Sequence, residues 1–359
     1  MRAFVITGPG EASVQEVPPP VAGPGEVVVE VSRAGVCGTD IEFFTGEMAY
    51  LHDGHARFPI RIGHEWAGRV SAVGEGVDRS WLGRRVTGDT MLGCGDCDRC
   101  RDGRHRVCDR RTEIGIRGGR PGALAEQLAV PAVALHALPD EVDDVAGALV
   151  EPGGNAWRAV HAADVRPGER VLVLGPGTIG LLCAMFVRAA GAEVHLMGRP
   201  GRSLEFARGL GFDGVWTRED LTGAGGGAGT GAGAGAGGAA AGLRWDAVID
   251  ASTSPELPAL AVELVEPGQR VVCIGISGTP SRLDTRRLVL RDVRATGILS
   301  ASGGLSPTIA AYARGDVDPR VLVGATVGLD GTADVLRGIR PRNAGAGPKL
   351  HVTPPTDAR

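Results

Sequence analysis

Long apolar runs are missing from this chain of 359 residues. None approaches the roughly 20 residues of a membrane span, so no membrane partner is expected. The opening MRAFVITGPG lacks the extended apolar stretch of a secretory signal, which makes a cytoplasmic setting the expectation. A positive balance is missing too: the net charge of −4 argues against general nucleic-acid binding. What remains, 43% hydrophobic and 22% charged residues, describes a globular protein long enough for two domains.

One segment lacks almost any apolar residue. GCGDCDRCRDGRHRVCDRR, residues 93–111, has a single large one, Val107, and cannot fold by burying a core. Its four cysteines, Cys94, Cys97, Cys100 and Cys108, follow C-x2-C-x2-C-x7-C, a spacing that completes one closed tetrahedral zinc site. A four-thiolate zinc contributes on the order of 10 kcal/mol of folding free energy, which such a lobe needs. A disulfide pair is the weaker reading, because no secretion signal accompanies it. Six arginines crowd the lobe, so a zinc-ribbon contact with nucleic acid has to be weighed against the acidic whole. Of the other cysteines, Cys183 and Cys273 fall in apolar stretches and are expected to be core thiols. Cys37 is left over.

Residues 1–150 show short apolar runs such as EVVVEVSRAG and EWAGRVSAVG, cut by Gly and Pro, which suggest a mostly β, partly barrel-like domain. Near residue 170 the pattern changes to strands alternating with helices: RVLVLG, TIGLLCAMFVRAAG, EVHLM, RSLEFARGLG, DAVIDAS, SPELPALAVELV and RVVCIGI. That alternation predicts a parallel sheet with right-handed crossovers. A Gly/Ala tract at 222–242 interrupts it and is expected to be a flexible excursion. Beyond residue 292 the pattern is mixed and ends in a strand, KLHV.

GPGTIG, residues 175–180, lies between the first strand and first helix of the α/β half. Gly175, Gly177 and Gly180 satisfy G-x-G-x-x-G, and Thr178 and Ile179 open the helix whose N–H groups would meet a pyrophosphate. The second strand ends in Gly198 and Arg199, with Arg202 near, where an NAD site usually carries Asp or Glu. Losing the carboxylate and gaining arginine predicts a preference for NADP over NAD.

Three further segments carry metal-type ligands: CGTD (Cys37, Thr39, Asp40), GHE (His64, Glu65) and VEPGG (Glu151). A catalytic zinc needs three protein ligands and an exchangeable position. Cys37 and His64 supply a thiolate and an imidazole, and either Glu65 or Glu151 the carboxylate.

Taken together, GVCGTD, GHEWAG, the four-cysteine lobe, the acid before Pro152 and GPGTIG resemble the zinc-dependent medium-chain dehydrogenase/reductases, over essentially the whole chain. The resemblance implies a GroES-like catalytic domain, residues 1–155, with the lobe at about 92–111. A Rossmann domain of doubly wound parallel sheet follows at 156–292, and the chain returns to the catalytic domain at 293–359. It implies two zincs per chain, NADP or NAD as cofactor, and a homodimer or homotetramer. It places Cys37, His64 and Glu65 or Glu151 on the catalytic zinc, and makes Thr39 the hydroxyl that passes the substrate proton outward. Glu42 stands where many relatives have His, so the proton relay ends in Glu42, His52 or His55. Glu113 matches a sugar-contacting glutamate of the family's glucose dehydrogenases. Glu151 stands where polyol and sugar dehydrogenases have Glu and alcohol dehydrogenases often have Cys. The implied reaction is reversible oxidation of a secondary hydroxyl of a polyol, sugar or cyclitol. Dehydrogenation of L-threonine or of a simple secondary alcohol is the alternative.

Overall fold

The computed structural model describes residues 1–223, 240 and 242–354, so most of the expected Gly/Ala excursion lies outside the described residues. The chain divides into two compact units, 1–154 with 300–359, and 155–299.

In the first unit, the alternating apolar residues of Glu26–Val36 make it the centre of a seven-stranded sheet. Gln127–Pro131 and Glu65–Val73 flank its first half; Lys349–Thr353 and Glu65–Val73 flank its second, all antiparallel. Val323–Gly328 lies outside Lys349–Thr353, while Arg85–Gly88 and Leu135–Ala137 extend the other side. Val27, Val29, Val31, Trp66, Leu128 and Val352 close the core between these strands. KLHV is therefore a paired strand of this sheet, with Val352 opposite Ala34.

The second unit is a six-stranded parallel sheet. Its order is Gly214–Trp216, Glu193–Met197, Arg170–Leu174, Trp245–Asp250, Val265–Cys273, Arg294–Gly297. Numbered along the chain this is 3-2-1-4-5-6, the doubly wound Rossmann order with its switch point beside Arg170–Leu174. Val171 to Leu174 are all buried, as expected of a strand covered on both faces. The boundary expected at residue 292 falls too early. Arg294–Gly297 adds a sixth strand and the unit runs to Leu299. All four residues of RATG are exposed, so no apolar run announces the strand. Cys273, expected in the core, ends its strand half-buried, whereas Cys183 is fully buried.

Candidate active site

Cys37 follows the central strand and caps the helix Gly38–Thr45. Asp40, fully buried in the first turn, holds the site together. Its Oδ2 accepts the Cys37 N–H at 2.8 Å, and its Oδ1 accepts the Gly63 N–H at 3.2 Å. The same Oδ1 lies 3.7 Å from His64 Nδ1. One carboxylate thus ties the CGTD turn to the GHE segment and sits behind the imidazole, as an outer-shell carboxylate does behind a metal-bound histidine. Cys37 Sγ, a His64 ring nitrogen and a Glu65 carboxylate oxygen all lie within 4.8 Å of one another. Burial works against a charged His64, but Asp40, Cys37 and Glu151 pull its pKa well above the ordinary range. A largely buried group of sulfur, nitrogen and oxygen donors fits a zinc ion.

Glu65 begins Glu65–Val73 directly opposite Gly35. A Cβ on Gly35 would stand 2.1 Å from Glu65 Oε2, so only glycine leaves room for this carboxylate. Buried Lys349, from the last strand, donates to Oε1 at 2.8 Å, to Oε2 at 2.6 Å and to Val36 O at 2.9 Å. Burial would lower the Lys349 pKa; Glu65 and Cys37 hold it up instead. The pair is more than 95% buried at both ends. Lys349→Met would leave a buried carboxylate unpaired and is expected to cost about 3–5 kcal/mol in urea unfolding. A loss below about 1 kcal/mol would mean the pair is not formed.

The remaining site residues are placed unevenly. Glu151 is buried near the start of the helix Val150–Ala162; it lies outside the three-residue group, though its charge acts on His64. Thr39 is half-buried in the first turn of Gly38–Thr45. Glu42 is exposed on that helix, and its carboxylate makes no hydrogen bond among the described residues. His52 donates to Gly46 O at 3.0 Å, and His55 stacks edge-on against Tyr50 beside Arg117, so neither ring is joined to Thr39. Glu113 is buried, accepting from Arg111 Nε at 2.8 Å and from Tyr50 OH at 3.3 Å. It is a carboxylate already held by a guanidinium rather than a free surface acid.

The sulfur geometry of the lobe fits a zinc ion. Cys94, Cys97, Cys100 and Cys108 cluster with Sγ–Sγ separations of 3.8 Å for Cys94–Cys100 and 3.7 Å for Cys97–Cys108. A tetrahedron with zinc–sulfur bonds of about 2.3 Å has edges of about 3.8 Å, whereas a disulfide needs about 2.05 Å. Arg110 donates to Cys94 Sγ at 3.1 Å. The lobe's arginines are mostly spoken for: Arg99 with Asp109, Arg101 with Asp98, Arg104 with Asp102, Arg110 with Asp96, Arg111 with Glu113. Five of the six lobe arginines thus stand beside an acid. Asp89 docks the lobe, accepting from His105 at 2.8 Å and from Ser302 at 2.9 Å.

In the second unit the three loop glycines do different work. Gly175 has φ +98, a left-handed conformation that favours glycine. A Cβ on Gly177 would meet nothing within 4 Å, leaving open space over the helix N-terminus for an incoming anion. A Cβ on Gly180 would lie 1.9 Å from Gly175 O, so the helix Thr178–Ala189 packs close to its strand only with glycine there. Thr178 and Ile179 form its first turn, and Gly177 is its N-cap. The sequence and structure therefore fit a dinucleotide. Gly198 packs on Pro176, where a Cβ would approach to 2.6 Å, and Arg199 beyond it is exposed.

Two site residues escaped the sequence reading. Asp40 was visible in CGTD but only its contacts reveal its role. Lys349 carried a signal of its own, a lone lysine at the head of an apolar strand.

The family model of the alcohol dehydrogenase GroES-like domain matches residues 23–140, and that of the zinc-binding dehydrogenases matches residues 178–314. An L-threonine 3-dehydrogenase of Streptomyces avermitilis is 34% identical over 296 residues, 79% of this chain and 80% of that protein. A solved structure from E. coli CFT073, described as a short chain alcohol dehydrogenase complexed with NADH, superposes with a TM-score of 0.85 at 26% identity. It covers 98% of this chain and 99% of that one. A second, provisionally described as a zinc-binding dehydrogenase of Sinorhizobium meliloti 1021 and bound to NADP, gives 0.85 at 28% identity with the same coverage. With its GroES-like unit, its Rossmann sheet and two donor clusters suited to zinc, this chain belongs to the zinc-dependent medium-chain dehydrogenase/reductase family.

Proposed function

We propose that the protein reversibly oxidises a secondary hydroxyl of a polyol, sugar or cyclitol to a carbonyl, transferring hydride to NADP in preference to NAD. The observation that carries this reading is the Cys37–His64–Glu65 group, half-buried at Cys37 and buried at His64 and Glu65, backed by Asp40 and Lys349. Cys37, His64 and Glu65 are the residues to hold a catalytic zinc, with Lys349 orienting the Glu65 carboxylate and Glu151 adding negative charge nearby. When bound, the zinc supplies a Lewis acid for a substrate hydroxyl and the nicotinamide accepts the hydride. Thr39 takes the hydroxyl proton in a hydrogen bond and passes it outward, with exposed Glu42 as the nearer end of the relay in sequence. Glu151 and the Tyr50–Arg111–Glu113 network offer polar partners to a hydroxyl-rich substrate. Two zincs per chain are proposed, the second in the four-cysteine lobe. The absence of a carboxylate at Gly198 and the exposed guanidinium of Arg199 favour a 2′-phosphate.

A second reading has its own support. L-threonine 3-dehydrogenation is the activity named for the Streptomyces avermitilis relative. Spectrophotometric assays of L-threonine, simple secondary alcohols and a polyol and sugar panel, each with NADP and NAD, separate the readings. Turnover of a polyol or sugar is expected, with kcat/KM about tenfold higher for NADP and that preference lost in Arg199→Ala. Threonine as the best substrate would overturn the substrate assignment, and a tenfold preference for NAD the cofactor assignment.

A further inference from the structure

A pocket in the first unit involves none of the donor residues. It has a volume of about 800 Å³, opens to solvent, and is lined among others by Val5, Val17, His55, Arg57, Arg61 and Gly119. That size accommodates a small metabolite. No carboxylate lines it, while three arginines do: Arg57, Arg61 and Arg120.

The three guanidiniums are not equivalent. Arg120 is paired with Glu26 at 2.6 Å. Arg57 and Arg61 have no hydrogen-bonding or ion-pair partner among the described residues for their guanidinium groups. Arg61 is half-buried, and burial lowers its pKa with no neighbouring acid to offset the effect. By contrast, two other half-buried arginines of this unit have an acid at hand, Arg85 with Asp144 and Arg111 with Glu113. Leaving a partly desolvated guanidinium unpaired is costly unless an anion arrives. Gly118 and Gly119 follow one another at φ +74, and a Cβ on Gly119 would meet nothing within 4 Å, so backbone borders open space there. Two unpaired guanidiniums match a dianion in charge, and planar guanidinium forks match phosphate oxygens in geometry. The apolar lining residues Val5, Val17, Pro18 and Pro59 suit an organic body attached to that phosphate.

We propose that this cavity binds a small phosphate monoester at a site separate from the Cys37–His64–Glu65 group. The test is isothermal titration of the zinc-loaded protein, held in saturating NADPH so that the nucleotide loop is filled. Glucose 6-phosphate is the probe and inorganic phosphate its competitor. One saturable ester site is expected, displaced by inorganic phosphate, with binding weakened at least about tenfold by Arg57→Gln and by Arg61→Gln and unchanged by Arg199→Ala. Exposed Arg57 keeps the test valid if the half-buried Arg61 variant folds poorly. Absence of ester binding, binding undiminished in Arg57→Gln, or binding lost in Arg199→Ala would each overturn the proposal.

Discussion

Replacing Cys37 with serine is expected to abolish turnover while leaving the fold and nicotinamide nucleotide binding intact. The side chains are nearly the same size, and the Cys37 N–H bond to Asp40 is made by the backbone, so the turn survives. What disappears is the thiolate. A thiolate ligates zinc strongly, whereas a serine hydroxyl stays neutral near pH 7 and ligates it poorly. Lewis-acid stabilisation of the transition state amounts to several kcal/mol, so kcat/KM should fall by about 10³-fold or more. The nucleotide loop belongs to the other unit, and its affinity, read by fluorescence titration of the reduced cofactor, should not move. Activity within tenfold of the parent enzyme would refute the metal assignment.

Cys100→Ser should act on structure instead. The lobe has one large apolar residue, Val107, and that side chain is exposed; only Cys108 among its four cysteines is buried. Its short helix Asp98–Arg101 and the turn His105–Val107 are too brief to persist alone. A zinc bound there would therefore supply most of the local folding free energy, on the order of 10 kcal/mol. Opening one corner of the Sγ tetrahedron should release this zinc and expose the arginines of residues 99–111 to trypsin. Proteolysis followed by mass spectrometry would locate the new cuts. A variant as resistant as its parent would show that the lobe holds itself together without the ion.

Much of the fold was legible because periodicity and punctuation agree. Strand, glycine loop and apolar helix occur in order at Arg170–Ala189, and the Cys spacing identified the lobe. The motifs also picked out Cys37 and His64 and left the carboxylate open between Glu65 and Glu151; folding brings Cys37, His64 and Glu65 together although the first two lie 27 positions apart. Long-range partnerships were not legible. Nothing in KLHV says that Lys349 will meet Glu65 from 284 positions away. The pairing depends on register, with Leu350 opposite Val36 and Gly35 opposite Glu65. Likewise, Glu113 gave no hint that Arg111 and Tyr50 would enclose it. The strand Arg294–Gly297 went unread because an exposed edge carries no hydrophobic pattern.

Metal content tests the account most directly. Elemental analysis of well-folded protein, purified without chelator, should find two zincs per chain, and one in each of Cys37→Ser and Cys100→Ser. One zinc or fewer in the parent protein, with Cys37→Ser unchanged from it, would contradict a metal held by Cys37, His64 and Glu65.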